Sequence, residues 1–88
     1  MKIFNIVPFI DNKYAINKDG DIKIKKFLSS NFNDKNVILI SRSKSRKMQI
    51  DLYAHKLIFL NDADANFLKL IDLKKDFLIE EIKNFTLF

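Results

Sequence analysis

The chain has 88 residues, no cysteine and a formal net charge of +5, which fits one small domain and excludes a disulfide framework or a thiolate metal site. Hydrophobic residues make up 48% of it and nine are Phe, while Pro and Gly occur once each, a composition that excludes a linker-rich or disordered chain and predicts an ordered core. No apolar run approaches the ~18–20 residues of a membrane span, and Asn5 and Pro8 interrupt the apolar N-terminus with no small-residue cleavage site after them, so the expectation is an intracellular, cytoplasmic protein without membrane contact.

In chain order, residues 2–8 predict a first strand that ends at Pro8, which has no amide to give a ladder. Residues 9–13 predict a turn and 14–17 a second short strand. Residues 17–21 predict another turn, in which Gly20, the single Gly, supplies a positive φ without steric cost. Ile22 and Ile24 alternate with Lys23 and Lys25, the period of a strand with an apolar inner face and a cationic outer one. Residues 29–36 predict a polar loop from which Phe32 tucks back to the core.

The stretch from 37 to 60 carries the strongest pattern. Residues 37–40 are a continuous apolar run, and Met48, Ile50 and Leu52 alternate with Gln49, Asp51 and Tyr53, so two strands of a hairpin are expected. Between them Arg42, Lys44, Arg46 and Lys47 place four cations at an exposed connection. Residues 54–60 predict a helix start docked on the sheet, and Asn61, Asp62 and Asp64 offer its successor an N-cap. Phe67, Leu70, Ile71, Leu78, Ile82 and Phe85 favour a helix over about 64–84 with a break near 73–75, while Phe77, Leu78 and Ile79 leave open a strand instead. The fold expected is α+β: a small antiparallel sheet of two hairpins, four to five strands in all, followed by one or two C-terminal helices packed on it. Residues 1–88 form a single domain, strand-rich over 1–54 and helical over 55–88.

Charge is uneven. Residues 1–60 hold 12 Lys and Arg against 5 Asp, a net of +7, and residues 61–88 hold 4 Lys against 6 Asp and Glu, a net of −2. A basic portion of this kind points to a polyanion-facing side. His55 is the single His, with no second His or Cys to share a metal, and it reads as a helix-start residue hydrogen-bonded beneath the sheet. Glu80 and Glu81 are adjacent, so on a helix they point about 100° apart and serve as solvated charges. There is no Gly-rich loop to cradle a nucleotide. No catalytic residue, metal or cofactor is expected, and the chain is read as not an enzyme.

Residues 8–22, PFIDNKYAINKDGDI, resemble the NUMOD-type module, the DNA-binding motif associated with HNH homing endonucleases of phages and bacteria. Its pattern is a Pro, a Tyr, an aliphatic residue, a Ser or Asn, then Gly and Val or Ile. Residues 53–58, YAHKLI, are similar to the Tyr-x-Val-His-Arg-Leu-Val segment that ends the strands and starts the helix before the nuclease motif in those proteins. Three departures accompany the likeness, the first being that the Trp often found upstream in the family is missing. Asp21 stands where family members usually carry Arg, and no His follows His55, so the nuclease motif is absent.

The resemblance implies a non-catalytic nucleic-acid-binding protein of phage or mobile-element type, acting in the host cytoplasm if phage-encoded. Duplex nucleic acid is the expected partner, contacted through phosphates by Arg42, Lys44, Arg46 and Lys47, with Lys23 and Lys25 extending the patch. The other expectation is a small protein-interaction module or inhibitor that docks on a host protein, or a homodimer joined through the C-terminal helix by Phe67, Phe77, Phe85 and Phe88.

Overall fold

A computed structural model describes residues 1–41, 55–71, 73 and 75–83. Their elements are β1 (Lys2–Ile10), β2 (Lys13–Tyr14), α1 (Lys18–Asn31), β3 (Val37–Ser41), β4 (His55–Phe59), α2 (Asp62–Leu70) and β5 (Phe77–Ile82). The class is α+β, as expected, with five strands in one antiparallel sheet and two helices.

β1 is the centre of the sheet. β4 pairs with it from Lys2↔Phe59 to Asn5↔Lys56, β5 from Ile3↔Ile82 to Pro8↔Phe77, and β2 at Phe9↔Tyr14 and Ile10↔Lys13. β3 lies outside β4, paired from Val37↔Phe59 to Ser41↔His55. The main sheet therefore reads β5-β1-β4-β3, with all neighbours antiparallel. Each helix joins two strands that run the same way with a third strand between them: α1 lies between β1 and β3 in the chain, and α2 between β4 and β5. Two such interleaved split β-α-β units are the connectivity of the ferredoxin-like fold.

Both helices cover the same sheet face. Ile24 of α1 and Ala65 and Leu68 of α2 share one buried cluster with Phe4, Ile6, Val37, Leu57, Phe59 and Phe77, a two-layer arrangement around one core. Ring contacts stitch the layers together: Phe59 meets Phe4 at 5.6 Å and Phe32 at 5.3 Å, Phe32 meets Phe67 at 5.6 Å, and Phe27 meets Phe77 at 5.0 Å. Phe32 thus returns to the core as expected, as the C-cap residue of α1.

Pro8 is accommodated inside β1 because of where its missing amide points. The Pro8 carbonyl accepts from the Ala15 amide at 2.7 Å, on the edge shared with β4 and β2, while the next amide, of Phe9, turns to the other edge and donates to Asp76 at 2.8 Å. β4 has already ended opposite Asn5, so no ladder bond is lost. The hairpin to β2 closes in two residues, Asp11 (φ 53°) and Asn12 (φ 63°), the left-handed pair that a tight hairpin needs and that Asp and Asn tolerate best after Gly.

Four sequence expectations are corrected. Residues 17–25 are the cap and first turns of α1, not a turn and a strand: Asn17 accepts from the amides of Asp19 and Gly20 at 3.1 and 3.3 Å, and Ile24 is buried while Ile22 faces solvent. The polar stretch 29–36 is helical up to Asn31. Residues 55–59 are β4 rather than a helix start. The helix over 64–84 stops at Leu70. The chain turns where the Leu73 carbonyl accepts from the amides of Asp76 and Phe77, and Phe77 opens β5, the alternative that the sequence left open. The two parts of the chain accordingly mix both element types, with α1 inside 1–54 and β4 and β5 inside 55–88. The strand expected at 48–52 lies outside the described residues. The cap at Asn61 is as expected, its Oδ1 accepting from the Asp64 amide at 2.9 Å.

Gly20 has an unexpected role. Its φ is not positive. A Cβ there would lie 1.7 Å from the Ala15 carbonyl oxygen and 2.8 Å from Pro8 Cγ, so the residue is needed because the start of α1 presses directly on the chain leaving the hairpin.

Candidate functional site

Asp21, on the first turn of α1, connects three elements. Its Oδ1 accepts a 2.6 Å hydrogen bond from the Ser41 hydroxyl at the end of β3, and its Oδ2 meets Lys25 Nζ at 3.0 Å, one helical turn along. The same Oδ1 is 3.8 Å from His55 Nε2 at the start of β4, an electrostatic approach too long for a hydrogen bond. Ser41 and His55 face each other across the β3–β4 ladder, so Asp21 ties the Ser41 end of the 42–54 connection to α1 and lies beside the His55 end.

Protonation follows from this geometry. The Ser41 hydrogen bond, helped by Lys25, holds the Asp21 carboxyl below its ordinary value against the opposing effect of burial. His55 is 3% exposed and its Nδ1 has no hydrogen-bond partner among the described residues. Burial lowers its pKa, and the Asp21 charge opposes that only in part. At neutral pH the site holds an aspartate and an uncharged imidazole. The carboxylate, not the imidazole, sits between the other two groups, whereas in a nucleophilic triad the imidazole lies between hydroxyl and carboxylate. His55 is buried under the sheet's helical face, on a strand rather than at a helix start.

The expected cations are distributed differently from the sequence reading. Lys23 and Lys25 stand on α1, not on a strand of the sheet. Lys23 turns away from the Ser41 end: its Nζ donates to the Phe9 carbonyl, pairs with Asp76 at 3.3 Å and lies 5.4 Å from the Phe77 ring centre. It locks α1 to β1 and β5. Lys25, mostly exposed, stands beside Asp21 and so beside the root of the connection. Arg42, Lys44, Arg46 and Lys47 lie outside the described residues, as does Tyr53. Asp21, the tie between α1 and the hairpin, was missed as a site residue. Its only signal in the sequence was its departure from the family pattern.

Two other surfaces stand out on the folded body. A groove of about 440 Å³ runs between α2 and β5, lined by Phe4, Leu68, Ile71, Phe77 and Ile79 together with Lys69 and Glu81. Lys69 and Glu81 are paired at 2.7 Å, with Lys2 also 3.8 Å from Glu81, and the Lys69 contact holds the Glu81 carboxyl below its ordinary value. The sheet face away from the helices presents Ile38 and Ile40 of β3 and Leu78 of β5 to solvent. Its aromatic pair, Phe9 and Tyr14 at 4.9 Å, is at the hairpin end, away from these aliphatic positions. Among the described residues there is no group of three or more His, Cys, Asp or Glu placed to hold a metal, and no helix long and apolar enough to cross a membrane.

Of the expected dimer seam, the two described residues do not share an exposed face. Phe67 is exposed on α2, Phe77 is buried on β5, and Phe85 and Phe88 lie outside the described residues. Compared with known proteins, the chain matches no family model, no curated protein and no solved structure.

Proposed function

We propose that the protein binds nucleic acid without catalysis, holding duplex phosphates through the basic connection between β3 and β4. The observation that carries this reading is the register Ser41↔His55. It brings together the two ends of a 13-residue stretch, 42–54, that contains Arg42, Lys44, Arg46 and Lys47 and one acidic residue, Asp51. The ionic contacts of the folded body point the same way. Asp21, Asp76 and Glu81 are each engaged with a lysine, so Lys23 and Lys69 serve the fold, and the connection carries more than half of the net positive charge, four cations against Asp51. Lys25, paired with Asp21 but mostly exposed, stands at its root and contributes from α1, whereas Lys23 turns away to Asp76 and Phe9. Phosphate contact of this kind is sequence-independent. The likeness of residues 8–22 and 53–58 to the NUMOD-type module of phage and mobile-element endonucleases supports the same reading.

The test is fluorescence anisotropy with labelled duplex and single-stranded DNA across a salt series. Four to five phosphate contacts give a slope of log affinity against log salt of roughly −3 to −5. Arg42→Glu with Arg46→Glu abolishes the binding if the connection holds the phosphates, and unchanged affinity sinks the assignment. Absence of binding at low salt favours the second reading, a protein-interaction module docking on a host protein. Ile38 and Ile40, 46% and 40% exposed on an aliphatic sheet face, are the observation in its favour.

A further inference from the structure

We infer that the outer edge of β3 is a self-pairing surface, which joins two copies of this chain through a continuous antiparallel sheet. The inference does not depend on nucleic-acid binding. Among the described residues, β3 is the last strand on its side and pairs with β4 alone. The amide of Leu60 donates to the Asn36 carbonyl at 3.0 Å, which sets the phase of the ladder: Ile38 and Ile40 turn their backbone groups to β4, and Val37, Leu39 and Ser41 turn theirs outward. Those three residues present a row of amides and carbonyls with no backbone partner among the described residues.

Such a row is a template for another strand, and sheet edges are normally blunted by charge, Pro or a bulge. β3 has none of these. Its sequence, VILIS, is uncharged throughout. The opposite edge, β5, carries Glu80 and Glu81, and self-pairing there would place the carboxylates of two copies on one ladder.

A second copy is the occupant that fits, because a two-fold interface must be complementary to itself. With the two-fold axis at Leu39, Leu39 pairs with Leu39 of the other copy and Val37 with its Ser41. All the outward groups are then used in hydrogen-bonded pairs. Ile38 of each copy stands opposite Ile40 of the other on the face away from the helices, so the exposed isoleucines cover one another.

The register makes the experiment specific. Sedimentation equilibrium of the full chain is expected to show a mass twice the 10.4 kDa of one copy, falling to that of one copy on dilution. Ile38→Lys with Ile40→Lys sets like charges opposite each other twice and raises the dissociation constant roughly 10- to 100-fold. Ile38→Lys with Ile40→Glu sets Lys opposite Glu twice and keeps the dimer. A wild-type chain that remains monomeric at millimolar concentration overturns the inference, as does equal behaviour of the two variants. Amide exchange of the wild type gives a reading that needs no variant: slower exchange at Val37, Leu39 and Ser41 with rising concentration supports β3 pairing, and concentration-independent exchange there refutes it.

Discussion

Gly20 shows how one atom decides a sign. In the interior of a helix, Gly→Ala ordinarily stabilises by about 1 kcal/mol. Here the added Cβ would meet the Ala15 carbonyl oxygen at 1.7 Å, and backbone must move to admit it. Gly20→Ala is therefore expected to destabilise by about 3 kcal/mol or more, at the top of the overpacking range. The midpoint of urea unfolding measures it, and an unchanged or higher midpoint contradicts the close approach. Asp21 is the other residue whose meaning came from its surroundings. Its side chain, out of place in the family pattern, accepts from Ser41 and faces Lys25 and His55.

At the scale of elements, the Asp21 tie fixes the first turn of α1 to the end of β3, beside the start of β4. Asp21→Asn keeps an acceptor for Ser41 but removes the charge that raises the His55 pKa against burial. With one His in the chain, its ring-proton resonance reports alone: the wild-type pKa is expected below 6.5, and the Asn variant's lower still. A higher value in the variant would show that Asp21 does not act on the imidazole. Which elements were legible follows from their length and punctuation. β1 and β3 were readable as apolar runs, and α2 by its Asn61 cap. α1 was not, because Ile22 and Ile24 alternate over only four residues. The helical spacing of Ile24, Phe27 and Leu28 on the core begins where that pattern ends. β4 is buried on both faces at Leu57, Ile58 and Phe59, and such a run has no period to separate strand from helix.

For the whole molecule, both coupled groups give stability the same dependence on pH. His55 has a lowered pKa in the fold, so the unfolded chain binds the proton first. The contribution is complete above 6.5 and is lost as pH falls through the folded value. Asp21 is also lowered, so its contribution is complete above 3.8 and is lost on further acidification. Unfolding midpoints are expected to fall in two stages as pH drops, and His55→Gln to remove the upper stage. Equal wild-type midpoints at pH 7 and pH 5 would contradict the burial of an uncharged imidazole.

The sequence alone determined the α+β class, a core rich in Phe, the capping of α2 at Asn61 and the concentration of positive charge between residues 42 and 47. These depend on composition, on runs of residues or on side chains that act on their immediate neighbours. Only the tertiary structure decided that residues 18–31 wind as a helix, that 55–59 and 77–82 extend as strands, and that Lys23 serves the fold while Lys25 stands at the hairpin root. It also decided that β3 lies on an edge among the described strands. Each of these turns on which distant segment lies alongside, as Phe4 beside Leu57 or Asp21 beside Ser41, and short local patterns do not encode that choice.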